Sequence, residues 1–172
     1  MLTFNELGDE RGNLVAIEGN EDIPFDIKRV FYMYGTDNTM VRGQHANNES
    51  EFVLINVSGS SKIKVDDGKG HEEIICLDKP KMGVYIPKMI WKEMYHFSKD
   101  SVILCLASTH YNGSEYIRDY EEYKKLVNER WFLFWNLIFY FHENKKFFDI
   151  IRISMRLIKY TQFVKKIKNV TS

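Results

Sequence analysis

Cysteine and proline are scarce in these 172 residues, at two and three. Cys76 and Cys105 sit in apolar runs without a C-x-x-C spacing, which argues against a disulfide scaffold or a thiolate zinc knuckle and predicts buried, reduced thiols. Net charge is absent too. Lys and Arg number 24 and Asp and Glu number 24, so no overall field draws the chain to nucleic acid. Long apolar runs are also missing: Trp131–Phe141 is broken by Asn136, and it falls short of the roughly 20 residues that span a bilayer. The start, Met1-Leu2-Thr3-Phe4-Asn5-Glu6, has neither the basic nor the apolar region of a secretory signal, so the expected location is the cytoplasm.

What is present is a globular composition, 44% hydrophobic, 28% charged and 15% aromatic, of a length suited to one core. Residues 11–108 read as short strands set apart by turn residues. Asn13–Glu18 lies between Gly12 and Gly19-Asn20. Ile27–Tyr34 follows Pro24, with Ile27, Arg29, Phe31 and Met33 facing one way and Lys28, Val30, Tyr32 and Tyr34 the other. Glu51–Val57 ends at Ser58-Gly59-Ser60. Lys62-Ile63-Lys64-Val65 runs into Asp66-Asp67-Gly68, a hairpin signal in which the two aspartates are turn residues. Glu72–Leu77, Gly83–Ile86 and Ser101–Ala107 complete the set. The even spacing predicts an all-β fold, a jelly roll or β-barrel, over residues 1–118.

The period changes after Tyr116. Asp119–Arg130 reads as a helix rich in Glu and Lys. Apolar residues then recur at helical spacing with basic ones between them, as in Phe147, Ile150, Ile151 and Met155 among Lys145, Lys146, Arg152 and Arg156. Residues 119–172 therefore form an added α-helical C-terminal segment, packed on the barrel or on a partner. Its charge is lopsided: eight Lys or Arg against two acidic residues from Trp131 onward. Such a basic amphipathic face also suits peripheral contact with an anionic membrane.

Arg42-Gly43-Gln44-His45-Ala46-Asn47 carries the chemistry. A His-x-His pair on a strand points two imidazoles to one face; here the second position is an amide, Asn47. Glu51, four residues after Asn47, keeps an acidic position for a metal, yet Gly83–Tyr95 supplies no late histidine. One imidazole and one carboxylate are too few for a tight transition-metal site, so no metal and no cofactor are expected.

Several further segments stand in a specific order: Arg11-Gly12-x-Leu14-x-x-Ile17-Glu18, Ile23-Pro24-Phe25-x-Ile27-Lys28-Arg29-Val30, Arg42-Gly43-x-His45-Ala46, Asp66-Asp67-Gly68, Trp91-x-Glu93-Met94-x-x-Phe97-Ser98 and Tyr116-Ile117-Arg118-Asp119-Tyr120. Over about residues 9–125 the chain resembles the sugar 3,4-ketoisomerases of deoxyamino-sugar biosynthesis. The resemblance implies a homodimeric cupin acting without metal on a TDP-linked 4-keto-6-deoxyhexose. A base takes the C3 proton beside the ketone, an enediol forms, and C4 is reprotonated. Histidine suits this task by its pKa.

By the same resemblance His45 is the base, in a family that commonly has His-Ala-His and Trp-His-Glu-Met where this chain has His45-Ala46-Asn47 and Trp91-Lys92-Glu93-Met94. Asn47 can bond an enediol oxygen but carries no proton at neutral pH. The second proton then comes from His45 itself, Tyr32, Tyr34 or water, and Lys92 either neutralises an enediolate or a phosphate or points outward. Arg29 and Arg42 are the expected diphosphate ligands. Lys62 and Lys64 add charge on one strand face, and Trp91 lines the sugar or stacks thymine. The product is galacto or gluco at C4, which no residue spacing decides, with galacto the favoured of the two. The rivals are a sugar-nucleotide 3,5-epimerase on the same fold and a non-catalytic nucleotide-sugar binder.

Overall fold

The computed structural model describes residues 1–143, with side chains through Asn136. The basic amphipathic run predicted from Phe147 onward lies outside the described residues. Twelve strands precede one helix: β1 (Leu2–Thr3), β2 (Glu6–Asp9), β3 (Gly12–Val15), β4 (Arg29–Tyr34), β5 (Arg42–Asn47), β6 (Phe52–Ser58), β7 (Ser61–Asp66), β8 (Glu72–Leu77), β9 (Met82–Ile86), β10 (Trp91–Tyr95), β11 (Val102–Ala107), β12 (Tyr116–Ile117) and α1 (Tyr120–Glu143). Met1–Asn128 forms one compact unit, and a second begins at Glu129. Helix α1 begins at Tyr120, and its first turns belong to the β unit.

Two five-stranded sheets carry the fold, in orders β1-β9-β6-β11-β4 and β12-β5-β10-β7-β8, with β2-β3 a separate hairpin. Every ladder between named strands is antiparallel. Among the described residues no ladder joins the two large sheets, so the fold is a two-sheet jelly roll, not a closed barrel. The Asp66-Asp67-Gly68 hairpin forms as expected: Asp66 and Asp67 side chains accept the Gly68 and Lys69 amides, each at 2.7 Å. Strand β10 escaped the sequence reading because Trp-Lys-Glu-Met-Tyr contains no β-branched residue.

Burial explains the layering. Phe52 and Leu54 of β6, Ile63 of β7, Ile75 and Leu77 of β8, Met94 of β10 and Ile103 and Cys105 of β11 pack between the sheets. The outer face of the first sheet is covered by Phe4, Ile23 and Phe25, which meet Val53, Ile55 and Leu106. The outer face of the second takes α1: Tyr123 and Val127 cluster with Ala46 and Trp91. Helix α1 starts where Asp119 accepts the Glu122 amide at 2.8 Å, with Glu121 and Glu122 against the positive end of the dipole. One cysteine expectation is corrected. Cys105 is buried, whereas Cys76 on the outward side of β8 is exposed, since the short run Ile74–Leu77 puts alternate residues outside.

Candidate active site

Strand β5 departs from plain alternation. Lys92 pairs with His45, Glu93 with Gly43 and Met94 with Arg42, leaving Gln44 as an extra residue. Gly43 and Gln44 both have positive φ, 86° and 53°. In a regular strand Arg42 and His45, three apart, would face opposite ways. The bulge places both opposite inward residues, Met94 and Lys92, and so on the inner face. A Cβ on Gly43 would stand 2.7 Å from the Lys92 carbonyl oxygen. Gly43→Ala is therefore expected to lower stability by about 2 kcal/mol or more, from left-handed backbone strain and this clash. That corresponds to a melting temperature roughly 4–8 °C lower, read by thermal denaturation.

The inner face gathers His45, Asn47 and Lys92. His45 Nδ1 lies 2.9 Å from the Gly43 carbonyl. A carbonyl only accepts, so Nδ1 carries the proton and Nε2 presents a lone pair. Burial first, then the neighbouring Lys92 charge, pushes the imidazole down to about 4, so it rests neutral. Its ring lies 4.8 Å from that of Tyr116, which in turn carries the Arg118 guanidinium over its face at 4.8 Å. Lys92, only 4% exposed, donates to Asn47 Oδ1 at 2.5 Å and sits 4.8 Å over the Phe52 ring. Burial pushes its ammonium down to about 7, against the opposing pull of Glu115.

Glu115 ends a 3-10 turn, Gly113–Glu115, and is buried beneath this group. It accepts the Ser50 amide at 2.7 Å, the Glu49 amide at 3.1 Å and the Ser50 hydroxyl. Asn47 Nδ2 has no partner at hydrogen-bond geometry, yet stands near enough to Glu115 to help lower its carboxyl. Arg29, also facing inward, lies over the rings of Phe31 at 5.2 Å and Tyr111 at 5.5 Å. Its Nε and Nη2 are buried without partners among the described residues. Tyr111 meets Tyr116 at 6.0 Å, which joins Arg29 to the His45 end through two rings. Unpartnered donors on Arg29 and Asn47, together with a cation and a lone-pair nitrogen, suit a polar, anionic ligand.

Other expected site residues are not brought here. Tyr32 and Tyr34 lie on the outward side of β4, 64% and 70% exposed with their rings tilted against each other at 5.9 Å, so neither reaches His45. Lys62 and Lys64 flank inward Ile63 and point outward; Lys64 pairs with Glu72 at 2.9 Å. Trp91 faces α1, against Tyr120 and Tyr123, with its indole N–H on Glu93 at 3.1 Å. It is a packing residue, not a sugar platform. Arg42, by contrast, shares the inner face with His45 but is exposed at its rim, where its charge is felt by buried Cys105. Glu51, the carboxylate at metal-site spacing, accepts the Tyr85 hydroxyl at 3.0 Å instead. Glu115, Tyr111, Tyr116 and Phe52 had no assigned role from sequence, although Tyr116 opens one of the ordered motifs.

Comparison with known proteins places this geometry in a family. Residues 1–128 match the model of the family described as WxcM-like, C-terminal. A TDP-4-oxo-6-deoxy-alpha-D-glucose-3,4-oxoisomerase from Aneurinibacillus thermoaerophilus is 43% identical over 127 residues, 74% of this chain and 91% of that protein. The crystal structure of a 3,4-ketoisomerase from Helicobacter canadensis superposes with a TM-score of 0.72 at 45% identity, covering 74% of this chain and 95% of the other. A histidine-to-asparagine mutant of the 3,4-ketoisomerase QdtA from Thermoanaerobacterium thermosaccharolyticum, in complex with TDP-4-keto-6-deoxyglucose, gives 0.73 at 40% identity, covering 75% and 93%. With matches of this extent, the chain belongs to the WxcM-like family of sugar 3,4-ketoisomerase relatives.

Proposed function

We propose that this protein is a TDP-sugar 3,4-ketoisomerase that converts TDP-4-keto-6-deoxyglucose to its 3-keto isomer through an enediol, with His45 as the base. The observation that carries the reading is the His45 tautomer: Nδ1 is tied to Gly43, leaving the Nε2 lone pair for the C3 proton. The resting imidazole is a weak base, but the negative charge of a bound diphosphate and of a developing enediolate raises its proton affinity. Arg29, with two unpartnered buried nitrogens, and Arg42 at the rim supply charge for the diphosphate.

The lack of a second imidazole bears on stereochemistry. In a gluco-configured 4-keto sugar the C3 hydrogen is axial on the lower ring face. If His45 takes it and returns a proton to C4 from that same face, the C4 hydroxyl is left axial. The product is then galacto, because a gluco product requires a donor on the opposite face.

The test is incubation with TDP-4-keto-6-deoxyglucose in D₂O, followed by NMR. The expected result is a C3 ketone with deuterium entering at C4 and the small H4–H5 coupling of a galacto ring in the protiated fraction. Exchange at C3 and C5 with a retained C4 ketone would instead identify a 3,5-epimerase. TDP binding without exchange above buffer would leave only a nucleotide-sugar binder.

A further inference from the structure

The isomerisation moves two protons. One leaves carbon C3 and one arrives at C4; in addition, the C4 oxygen gains a proton and the C3 hydroxyl loses one. His45 accounts for the carbon-bound proton, and Asn47 carries none. We propose that Lys92 is the second proton carrier, relaying the proton that passes between the two enediol oxygens. This rests on the ketoisomerase reading above and deepens it.

The geometry is that of a built site. Lys92 is the direct cross-strand partner of His45, so both side chains project from neighbouring positions on one inner face. Its ammonium has three donors. Among the described residues one goes to Asn47 Oδ1 at 2.5 Å, and the Phe52 ring lies beneath at 4.8 Å. Among the described residues no salt bridge neutralises it; the titratable and charged groups around it are His45 from β5, Glu115 from the turn before β12 and Cys105 from β11, with the Arg29 and Arg42 charges felt at Cys105. A purely structural side chain here would be better apolar, since a buried cation with one hydrogen bond is destabilising. Asn47 fixes Nζ without competing for the proton. Burial leaves the amine with a proton affinity near neutrality, which suits both giving and taking.

The relay balances. As His45 Nε2 takes the C3 hydrogen, the C3–H pair becomes the C3=C4 bond and the carbonyl π pair moves to the C4 oxygen. Lys92 ammonium donates a proton to that oxygen. The neutral amine then takes the proton from the C3 hydroxyl as the C3 carbonyl forms, and His45 returns its proton to C4. Both groups end as they began, and no oxidant or co-reactant is required.

The experiment compares wild type with Lys92→Met, Lys92→Arg and Lys92→Ala, measuring kcat, KM and TDP affinity across pH. Wild-type turnover to the C3 ketone is established first, because its absence would overturn the ketoisomerase reading itself. Lys92→Met is expected to lower kcat by about 10²–10⁴-fold with TDP affinity within a few-fold. Lys92→Arg keeps the charge but gives up no proton. It should remain slow and lack the alkaline limb that is expected of wild type near pH 7. Small primary amines should partly restore Lys92→Ala, with a rate that follows the amine's pKa. Turnover by Lys92→Met within about threefold of wild type would overturn the proposal. So would a fast Lys92→Arg enzyme with an unchanged pH profile, which would make Lys92 a fixed positive charge only.

Discussion

His45→Asn is expected to lower turnover of TDP-4-keto-6-deoxyglucose by about 10³-fold or more while TDP affinity stays within a few-fold. Asparagine fills much of the same space and can still donate toward the Gly43 carbonyl, so the bulge in β5 should survive. What it removes is, among the described residues, the only lone-pair nitrogen on a ring at this end of the inner face. The expected loss therefore falls on kcat, measured by steady-state kinetics, with binding followed by calorimetry on TDP. A near-normal rate in this variant would mean that the C3 base is wrongly assigned. The pH dependence of the wild type supplies an independent check. Because burial and Lys92 hold the imidazole at about 4, the acid limb of kcat/KM should lie well below the ordinary histidine value of 6.5. For the fold the sign is adverse in acid. Between 6.5 and about 4 the unfolded chain binds the proton that folded His45 refuses, so this residue lowers stability as pH falls through that window.

The sequence made His45, Asn47 and Lys92 visible because they stand inside ordered motifs, and a strand puts positions 45 and 47 on one face whatever its neighbours do. The alternation in β4 was legible as well: Arg29, Phe31 and Met33 on one side, Tyr32 and Tyr34 on the other. That partition already forbade Arg29 and the two tyrosines from sharing a site, and the structure settles which set turns inward. The bulge at Gly43-Gln44 was not legible, since a period-two pattern has no mark for one extra residue. Nor was the burial of Trp91. Its motif suggested a ligand platform, but the helix that covers it comes from residues 120–127, and only the folded chain brings them together. Glu115 was out of reach for the same reason. Its partners, Glu49 and Ser50, lie 66 and 65 residues away and offer their backbone amides, which sequence does not distinguish.

Glu115→Ala is expected to destabilise the protein by about 3 kcal/mol, because it strips the acceptor from two backbone amides and a hydroxyl without admitting water to replace it. The melting temperature should fall by roughly 6–12 °C. Burial by itself would raise the Glu115 carboxyl, but the hydrogen bonds from Ser50 and Glu49, with Asn47 nearby, outweigh it and hold the group below its ordinary value of 4.5. A carboxyl depressed on folding stabilises the native state above that ordinary value and loses the effect as pH falls through the folded one. The gap between wild type and variant in urea unfolding should therefore be full at neutral pH and narrow in acid. A constant gap would show that packing rather than the carboxylate sets it. Glu115→Gln separates charge from hydrogen bonding: the amide oxygen still accepts, so the stability loss should be smaller. Lys92, however, loses the negative charge that draws its proton affinity up. The alkaline limb of activity should then move to lower pH in Glu115→Gln, coupling a buried turn beyond β11 to the proton carried on β10.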